Sequence, residues 1–191
     1  MEEDIKKPES IIIDTNVLLS SLVKQEGYTQ ALLSIMLVQK DIKLVVPGTI
    51  KQEINAHIGE IARKSGLPLN IIRKVNDMVF RHIETVDERL FAQEINEALD
   101  LVSDKKDSPF AGLALKLRPS IILTYNKRHF RQENLEKRGV KVLEPSELAK
   151  YLDMAISVDK KVKRKGGILK LISRLYLLKA SAKGSHTTNS Q

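Results

Sequence analysis

The sequence contains no cysteine and no tryptophan, and aromatic residues make up only 4% of its 191 positions. Without cysteine there is no disulfide framework and no thiolate metal site, so any metal must be held by oxygen or histidine ligands. No apolar run approaches the roughly 18 to 20 residues that a membrane span needs. The opening MEEDIKKPES lacks the basic and then apolar pattern of a secretory signal, so the expected location is the cytoplasm.

Positive charge is concentrated towards the carboxyl end. The net charge is +8, yet residues 151–191 alone carry +7, which leaves +1 for residues 1–150. A cationic end on a nearly neutral body predicts an anionic partner such as nucleic acid. The candidate RNA-binding residues are those of the charge run DKKVKRKGG, namely Lys160, Lys161, Lys163, Arg164 and Lys165. The alternative is that this end is only a solvated, solubilising segment.

The composition predicts a body over residues 1–155 and a basic tail over residues 156–191. Within the tail, ILKLISRLYLLK at 168–179 is apolar on a broad helical face, which predicts an amphipathic helix. Such a helix needs a covering surface, which the body, a second subunit, a partner or a membrane surface would provide.

Short apolar runs alternate with longer segments of helical period, a pattern typical of an α/β protein with a parallel sheet. The strand candidates are residues 10–14, 42–47, 83–86, 120–124 and 140–145. The helix candidates are two helices broken near Gly27, then 50–64 with Thr49 as N-cap, 69–83, 91–102, one opened by Ser108 and Pro109, and one capped by Ser146.

Side chains with oxygen ligands follow several of these elements. They are Asp14 at the end of the first strand, Glu53 in the helix after the second, Asp104 and Asp107 before the helix that leads to the fourth, and Thr124 and Asn126 where the fourth closes. Functional groups collect at the carboxyl ends of parallel strands, so we expect these side chains to share one edge. Clustered carboxylates repel one another, and Mg²⁺ or Mn²⁺ relieves that repulsion. Two such ions about 4 Å apart can support phosphodiester hydrolysis, so the pattern predicts a metal-dependent nuclease.

Each of these residues also has a simpler interpretation. Asp14 can be a helix N-cap, Glu53 a solvent-facing helix residue, and Asp104 the cap of a turn among lysines. Asp107 is favoured over Asp104 as a ligand because it adjoins a helix. His57, four residues after Glu53, is interpreted as a surface residue because no second histidine is near it in the sequence. The combination of acids in this order is what predicts the site.

Four segments within residues 10–150 resemble the PIN-domain ribonucleases. They are, in order, IIIDTNVLL, VVPGTIKQEI, DKKDSPFAGLALKL and IILTYNKRHF. The resemblance implies a three-layer α/β/α sandwich with a central parallel sheet, and cleavage of single-stranded RNA that depends on Mg²⁺ or Mn²⁺. Asp14, Glu53 and Asp107 would then ligate metal directly or through water. Thr124 would position a metal water or a phosphate.

Two asparagines are informative within this resemblance. Asn16 resembles the family's structural asparagine, which holds the loop after the first strand. Many members carry a fourth acid where this chain has Asn126, with His129 three residues on. Asparagine offers a carbonyl oxygen but no charge, so a second metal is predicted to bind weakly or only together with RNA.

The leading prediction is an endoribonuclease, either the toxin of a toxin–antitoxin pair, with an antitoxin protein as partner, or an enzyme of RNA processing. The alternative is a PIN-like scaffold that holds RNA or another protein without cutting it. Because members of the family commonly pair, the resemblance also implies a homodimer, in which residues 168–179 would pack on the second subunit.

Overall fold

The computed structural model describes residues 10–23, 27–37 and 42–151. In chain order the elements are β1 (Ser10–Ile13), α1 (Thr15–Val23), α2 (Tyr28–Met36), β2 (Lys43–Pro47), α3 (Ile50–Ser65), α4 (Leu69–Val79), β3 (Glu84–Val86), α5 (Ala92–Ala98), α6 (Ser108–Lys116), β4 (Ser120–Leu123), α7 (Gln132–Glu136), β5 (Val140–Leu143) and α8 (Pro145–Tyr151). Short 3₁₀ turns cover Glu88–Phe91, Leu99–Leu101, Lys105–Asp107 and Lys127–His129. The predicted tail and its helix at 168–179 lie outside the described residues.

The five strands form one parallel sheet in the order β3-β2-β1-β4-β5. The central strand β1 aligns Ile12 with Val45 of β2 and with Ile122 of β4. Its three isoleucines are fully buried because helices cover both faces of the sheet. A strand buried on both faces has a continuous apolar sequence, which explains the run of isoleucines.

The helices form a layer on each face of the sheet. The connections β1 to β2 and β2 to β3 step in one direction, whereas β3 to β4 and β4 to β5 step in the other. Because such crossovers are right-handed, α1 to α4 lie on one face and α5 to α7 on the opposite face. The last helix, α8, returns to contact α2. The predicted three-layer α/β/α sandwich with a central parallel sheet is therefore confirmed.

Helices α5 and α6 approach each other closely at Gly112. A Cβ atom on Gly112 would lie 2.8 Å from both the Cα and the N of Ile95. Only glycine allows this separation, because no real Cβ atom comes so near a backbone. The contact fixes α6, which packs against β1, β2 and β4 and begins at Ser108, beside Asp107.

Within residues 10–23, 27–37 and 42–151, none of the helices combines the length and the hydrophobicity of a transmembrane segment.

Candidate active site

Strands β1 and β4 end side by side in the middle of the sheet. Ile13 pairs with Leu123, and the Asp14 N–H donates to the Leu123 carbonyl oxygen at 3.0 Å. Asp14 and Thr124 therefore leave the carboxyl edge next to each other. In the strand order this is the point where the connections reverse direction, which is where ligands of open parallel sheets bind.

Asp14 is a buried carboxylate, only 4% exposed. Its Oδ2 accepts hydrogen bonds from Thr124 Oγ1 at 2.6 Å and from Asn16 Nδ2 at 2.7 Å, and its Oδ1 accepts from the Asn16 N–H at 3.3 Å. Burial raises the pKa of Asp14, the hydrogen bonds from Thr124 and Asn16 oppose that shift, and the charge of Asp107 adds to it. The carboxylate is thus held firmly in a place where its charge is unfavourable.

Asn16 connects the ends of the two strands. Besides Asp14, its Nδ2 donates to Thr124 Oγ1 at 3.2 Å, and its Oδ1 accepts from the Tyr125 N–H at 3.2 Å. Both polar atoms of the side chain, Nδ2 and Oδ1, therefore bind within the edge, through three hydrogen bonds. This is the geometry expected of the structural asparagine inferred from the sequence.

Glu53 lies in the first turn of α3 and is exposed. The Thr15 hydroxyl donates to Glu53 Oε2 at 2.7 Å. Because Thr15 adjoins Asp14 in the chain, this hydrogen bond brings Glu53 to the same edge of the sheet. Helices α1 and α3 pack against each other and support the arrangement.

Asp107 is partly buried at the start of α6. Its Oδ2 is hydrogen-bonded to His129 Nδ1 at 2.8 Å. Burial raises the pKa of Asp107, the hydrogen bond and charge of His129 oppose the shift, and the charges of Asp104 and Glu53 add to it. The acids from three separate connections therefore interact electrostatically.

Asp104, Asp107 and His129 each offer one ligand atom, and these atoms lie within 4.8 Å of one another. Asp104 also accepts from the Lys106 N–H at 3.0 Å, so it caps the turn at Lys105–Asp107 as well. The interpretation of Asp104 as the cap of a turn is therefore confirmed, and its role as a metal ligand stays a prediction. Carboxylate oxygens with one imidazole nitrogen suit divalent cations such as Mn²⁺, and the absence of cysteine excludes a thiolate site.

The remaining sequence candidates do not belong to the group formed by Asp104, Asp107 and His129. Asp14 and Glu53 reach Asp107 electrostatically, but they are not part of the three-residue ligand group. The Asn126 N–H donates to Thr124 Oγ1 at 2.9 Å, and its side chain does not cap the turn that follows. His57 is exposed and pairs with Glu60 at 3.5 Å, as a surface histidine would.

His129 is the ligand candidate that the sequence analysis did not select. Its only sequence signal is its position three residues after Asn126 in YNKRHF. The five basic residues predicted to bind RNA, at positions 160, 161, 163, 164 and 165, lie outside the described part of the chain.

A family model described as "PIN domain" matches residues 12–132. The match spans every site candidate from Asp14 to His129. No curated protein was found to match the chain.

Proposed function

The chain belongs to the PIN domain family, and from that premise we propose that it is a metal-dependent endoribonuclease that cleaves single-stranded RNA. The family fold is in general that of metal-dependent nucleases, which act on nucleic acids. The acidic group at the carboxyl edge is consistent with that chemistry.

The observation that carries the proposal is the unfavourable charge of Asp14 and Asp107. Burial raises the pKa of both carboxyl groups, and the charge of Asp107 raises that of Asp14 further. A chain gains nothing in stability by collecting acids in this way, because like charges that are partly out of water repel one another at a cost. A divalent cation held at this edge would remove the penalty.

The side chains divide into ligands and residues that position them. Asp107, Asp104 and His129 are close enough together to hold a cation, with Asp14 and Glu53 beside them. A bound Mg²⁺ or Mn²⁺ supplies Lewis-acid stabilisation of phosphate charge and lowers the pKa of a water molecule, and two such ions would do so on both sides of the phosphate.

Thr124 acts on Asp14 in this proposal. Its side chain is fully buried, and its hydroxyl donates to Asp14 while accepting from Asn16 and from the Asn126 N–H. With those partners the hydroxyl has no surface left for a phosphate. Thr124 therefore orients the carboxylate, and Asn126 offers the amide oxygen where relatives carry an acid.

Exposed cations beside the acids support a polyanionic substrate. Lys105 and Lys106 lie between Asp104 and Asp107, and Arg128 adjoins His129. Phosphates that flank the one being cleaved would contact such side chains. This arrangement favours a polynucleotide over a small phosphate ester.

The test is cleavage of a labelled single-stranded RNA in Mn²⁺ and, separately, in Mg²⁺. Asp14→Asn is expected to lower the rate by at least about 100-fold, more than loss of an outer-shell partner of a metal. Asp77→Asn, which alters an exposed carboxylate of α4, is the matched control and keeps the wild-type rate. If wild type and Asp14→Asn bind the RNA and leave it equally intact, the protein is a scaffold.

The scaffold is the second candidate, and the observation that favours it is Asn126 in place of a fourth acid.

Within the nuclease proposal two roles remain distinct. A toxin arrests growth when it is expressed alone and purifies with a small antitoxin, whereas an RNA-processing enzyme does neither. A homodimer stays a prediction, which light scattering of the purified chain measures.

A further inference from the structure

Tyr125 exposes an aromatic ring directly beside the acidic edge. It follows Thr124 at the end of β4, and the residue is 41% exposed. The other exposed large hydrophobic residues of the described chain are Tyr28, Leu69, Leu90 and Leu99. Tyr125 is the one that immediately follows a residue bonded to Asp14. A chain with only eight aromatic residues thus leaves one of them in solvent at the site.

Tyr125 is held by hydrogen bonds at its backbone N–H and at its phenolic oxygen. Its N–H donates to Asn16 Oδ1 at 3.2 Å, and Asn16 in turn donates to Asp14 at 2.7 Å. Its phenolic oxygen is hydrogen-bonded to the hydroxyl of Thr29, a buried residue of α2. The Asn16 side chain therefore links the backbone of Tyr125 to the buried carboxylate of Asp14.

A purely structural role explains only part of this geometry. The hydrogen bond to Thr29 ties the end of β4 to α2, and that tie needs the hydroxyl. It does not require the ring to stay in water, where apolar surface is unfavourable. An anchored and exposed ring has already lost the conformational freedom that binding would otherwise cost, which favours a role in binding.

We propose that Tyr125 is a stacking platform that receives one unpaired nucleobase next to the phosphate being cleaved; this rests on the proposed nuclease function. Base–aromatic stacking tolerates every base, because each base has a π-face. A base within a duplex has both faces covered by its neighbours and cannot reach the ring. Tyr125 thereby selects single-stranded nucleic acid without reading its sequence.

The experiment measures binding of fluorescein-labelled octauridylate, with Ca²⁺ as the divalent cation, by fluorescence anisotropy. Eight further oligonucleotides each carry one abasic residue, at successive positions. For the wild type, one abasic position weakens binding by about ten-fold, within the range known for base–aromatic stacking. Tyr125→Ala weakens binding of the intact oligonucleotide by a similar factor and removes the effect of that abasic position.

Two variants serve as controls. Tyr125→Phe keeps the ring without the bond to Thr29 and stays within about three-fold of wild type, since stacking needs only the ring. Leu69→Ala changes an equally exposed residue, 41%, at the start of α4. Leu69 lies beyond the carboxyl end of α3, a helix about 24 Å long at 1.5 Å per residue whose first turn holds Glu53. This variant leaves binding unchanged. Both Tyr125 variants keep the N–H that binds Asn16, and circular dichroism verifies their folding.

The proposal is overturned if Tyr125→Ala binds like wild type, if every abasic position has the same effect on both proteins, or if the wild type does not bind. Binding with the expected abasic pattern but without cleavage in Mn²⁺ would refute the nuclease and keep the stacking role. If the wild type cleaves RNA in Mn²⁺ and Tyr125→Ala binds RNA as tightly as the wild type, the stacking role is refuted and the nuclease proposal is kept.

Discussion

Asp107 illustrates how a single residue can favour function over stability. Its carboxylate is partly buried and lies near the charges of Asp104 and Glu53, and its pKa is raised as a result. At neutral pH the metal-free protein must keep this group ionised at a cost in folding free energy.

We therefore expect Asp107→Asn to stabilise the metal-free protein at pH 7. Because the native state binds the proton more tightly than the unfolded state does, the penalty vanishes once Asp107 is protonated in both. The advantage of the variant should shrink as the pH falls through the raised pKa and be gone below about pH 4. Urea unfolding of wild type and variant between pH 4 and pH 8 measures it. A constant difference across that range would contradict the assignment.

His129 is expected to contribute to metal affinity. Its Nδ1 is bonded to Asp107, and both belong to the group of ligand atoms within 4.8 Å. His129→Gln should weaken Mn²⁺ binding about 10- to 100-fold, the effect seen when a ligand or its partner is lost. Titration calorimetry measures the affinity, and His57→Gln, which changes an exposed histidine on α3, should bind like wild type. Equal affinities for all three proteins would exclude His129 from the site.

The acids of the site were predictable from sequence, whereas His129 was not. Asp14 adjoins a strand, Glu53 begins a helix that follows a strand, and Asp107 adjoins α6, so topology alone brings them to one edge. His129 reaches Asp107 across 22 residues, after a turn whose direction no local pattern specifies. Lone histidines are frequent on surfaces, as His57 shows.

At the scale of elements, the contact between α5 and α6 depends on Gly112. Gly112→Ala should destabilise the fold by about 1–3 kcal/mol, because the added methyl meets the backbone of Ile95 and overpacks the interface. Gly59→Ala is the matched control, since a Cβ on Gly59 in the middle of α3 would meet nothing within 4 Å. It should stabilise the protein by roughly 0.5–1 kcal/mol through helix propensity. Thermal unfolding of both variants gives the signs, and a stabilising Gly112→Ala would contradict the described packing.

The strands were predictable because each is a short apolar run, and their predicted ends at Asp14 and Thr124 are one residue beyond β1 and β4. The region 91–102 was predicted as one helix but contains α5 and a 3₁₀ turn. Helix propensity favours a continuous helix over this region. In the structure the helix is shorter, and this short helix, α5, is the one that packs tightly against α6 at Gly112.

Of the two predicted helix caps, Thr49 occupies the N-cap position of α3 as predicted, whereas Ser146 lies within α8 and does not cap it. The Thr49 side chain makes no capping bond to α3, and its N–H donates instead to Glu88 Oε1 at 2.8 Å. Helix α8 begins at Pro145, before Ser146, and the Glu147 carboxylate accepts from the Glu144 N–H at 2.8 Å. The backbone N–H at the start of α3 is thus bonded to a residue distant in sequence, and the one before α8 to a glutamate of the helix itself. The preference of serine and threonine for helix ends does not reveal such partners.

At the scale of the whole molecule, a cation that binds only the native state stabilises it. Millimolar Mn²⁺ should raise the melting temperature by several degrees, since a concentration of 100 times Kd contributes about 2.7 kcal/mol. Differential scanning fluorimetry measures the shift, and Asp107→Asn should abolish most of it. No shift in the wild type would count against a metal site.

The tail prediction also belongs to this scale. Replacing Lys160, Lys161, Lys163, Arg164 and Lys165 by glutamine should weaken RNA binding and flatten its dependence on salt. Each lost phosphate contact lowers the slope of log K against log salt by about 0.7 for a single strand. Anisotropy titrations at several salt concentrations measure the slope. An unchanged slope would mean that the tail serves another purpose.

The hydrogen bond from Thr124 to Asp14 joins residues 110 positions apart, and this separation has a consequence for synthesis. While a ribosome is still making the first hundred residues, the chain has Asp14 and Glu53 but neither Asp107 nor the strand that must align beside β1. The nuclease site proposed above therefore cannot assemble on a chain that ends before β4. Two fragments divided before β4 should likewise be inert apart and gain activity only when they recombine.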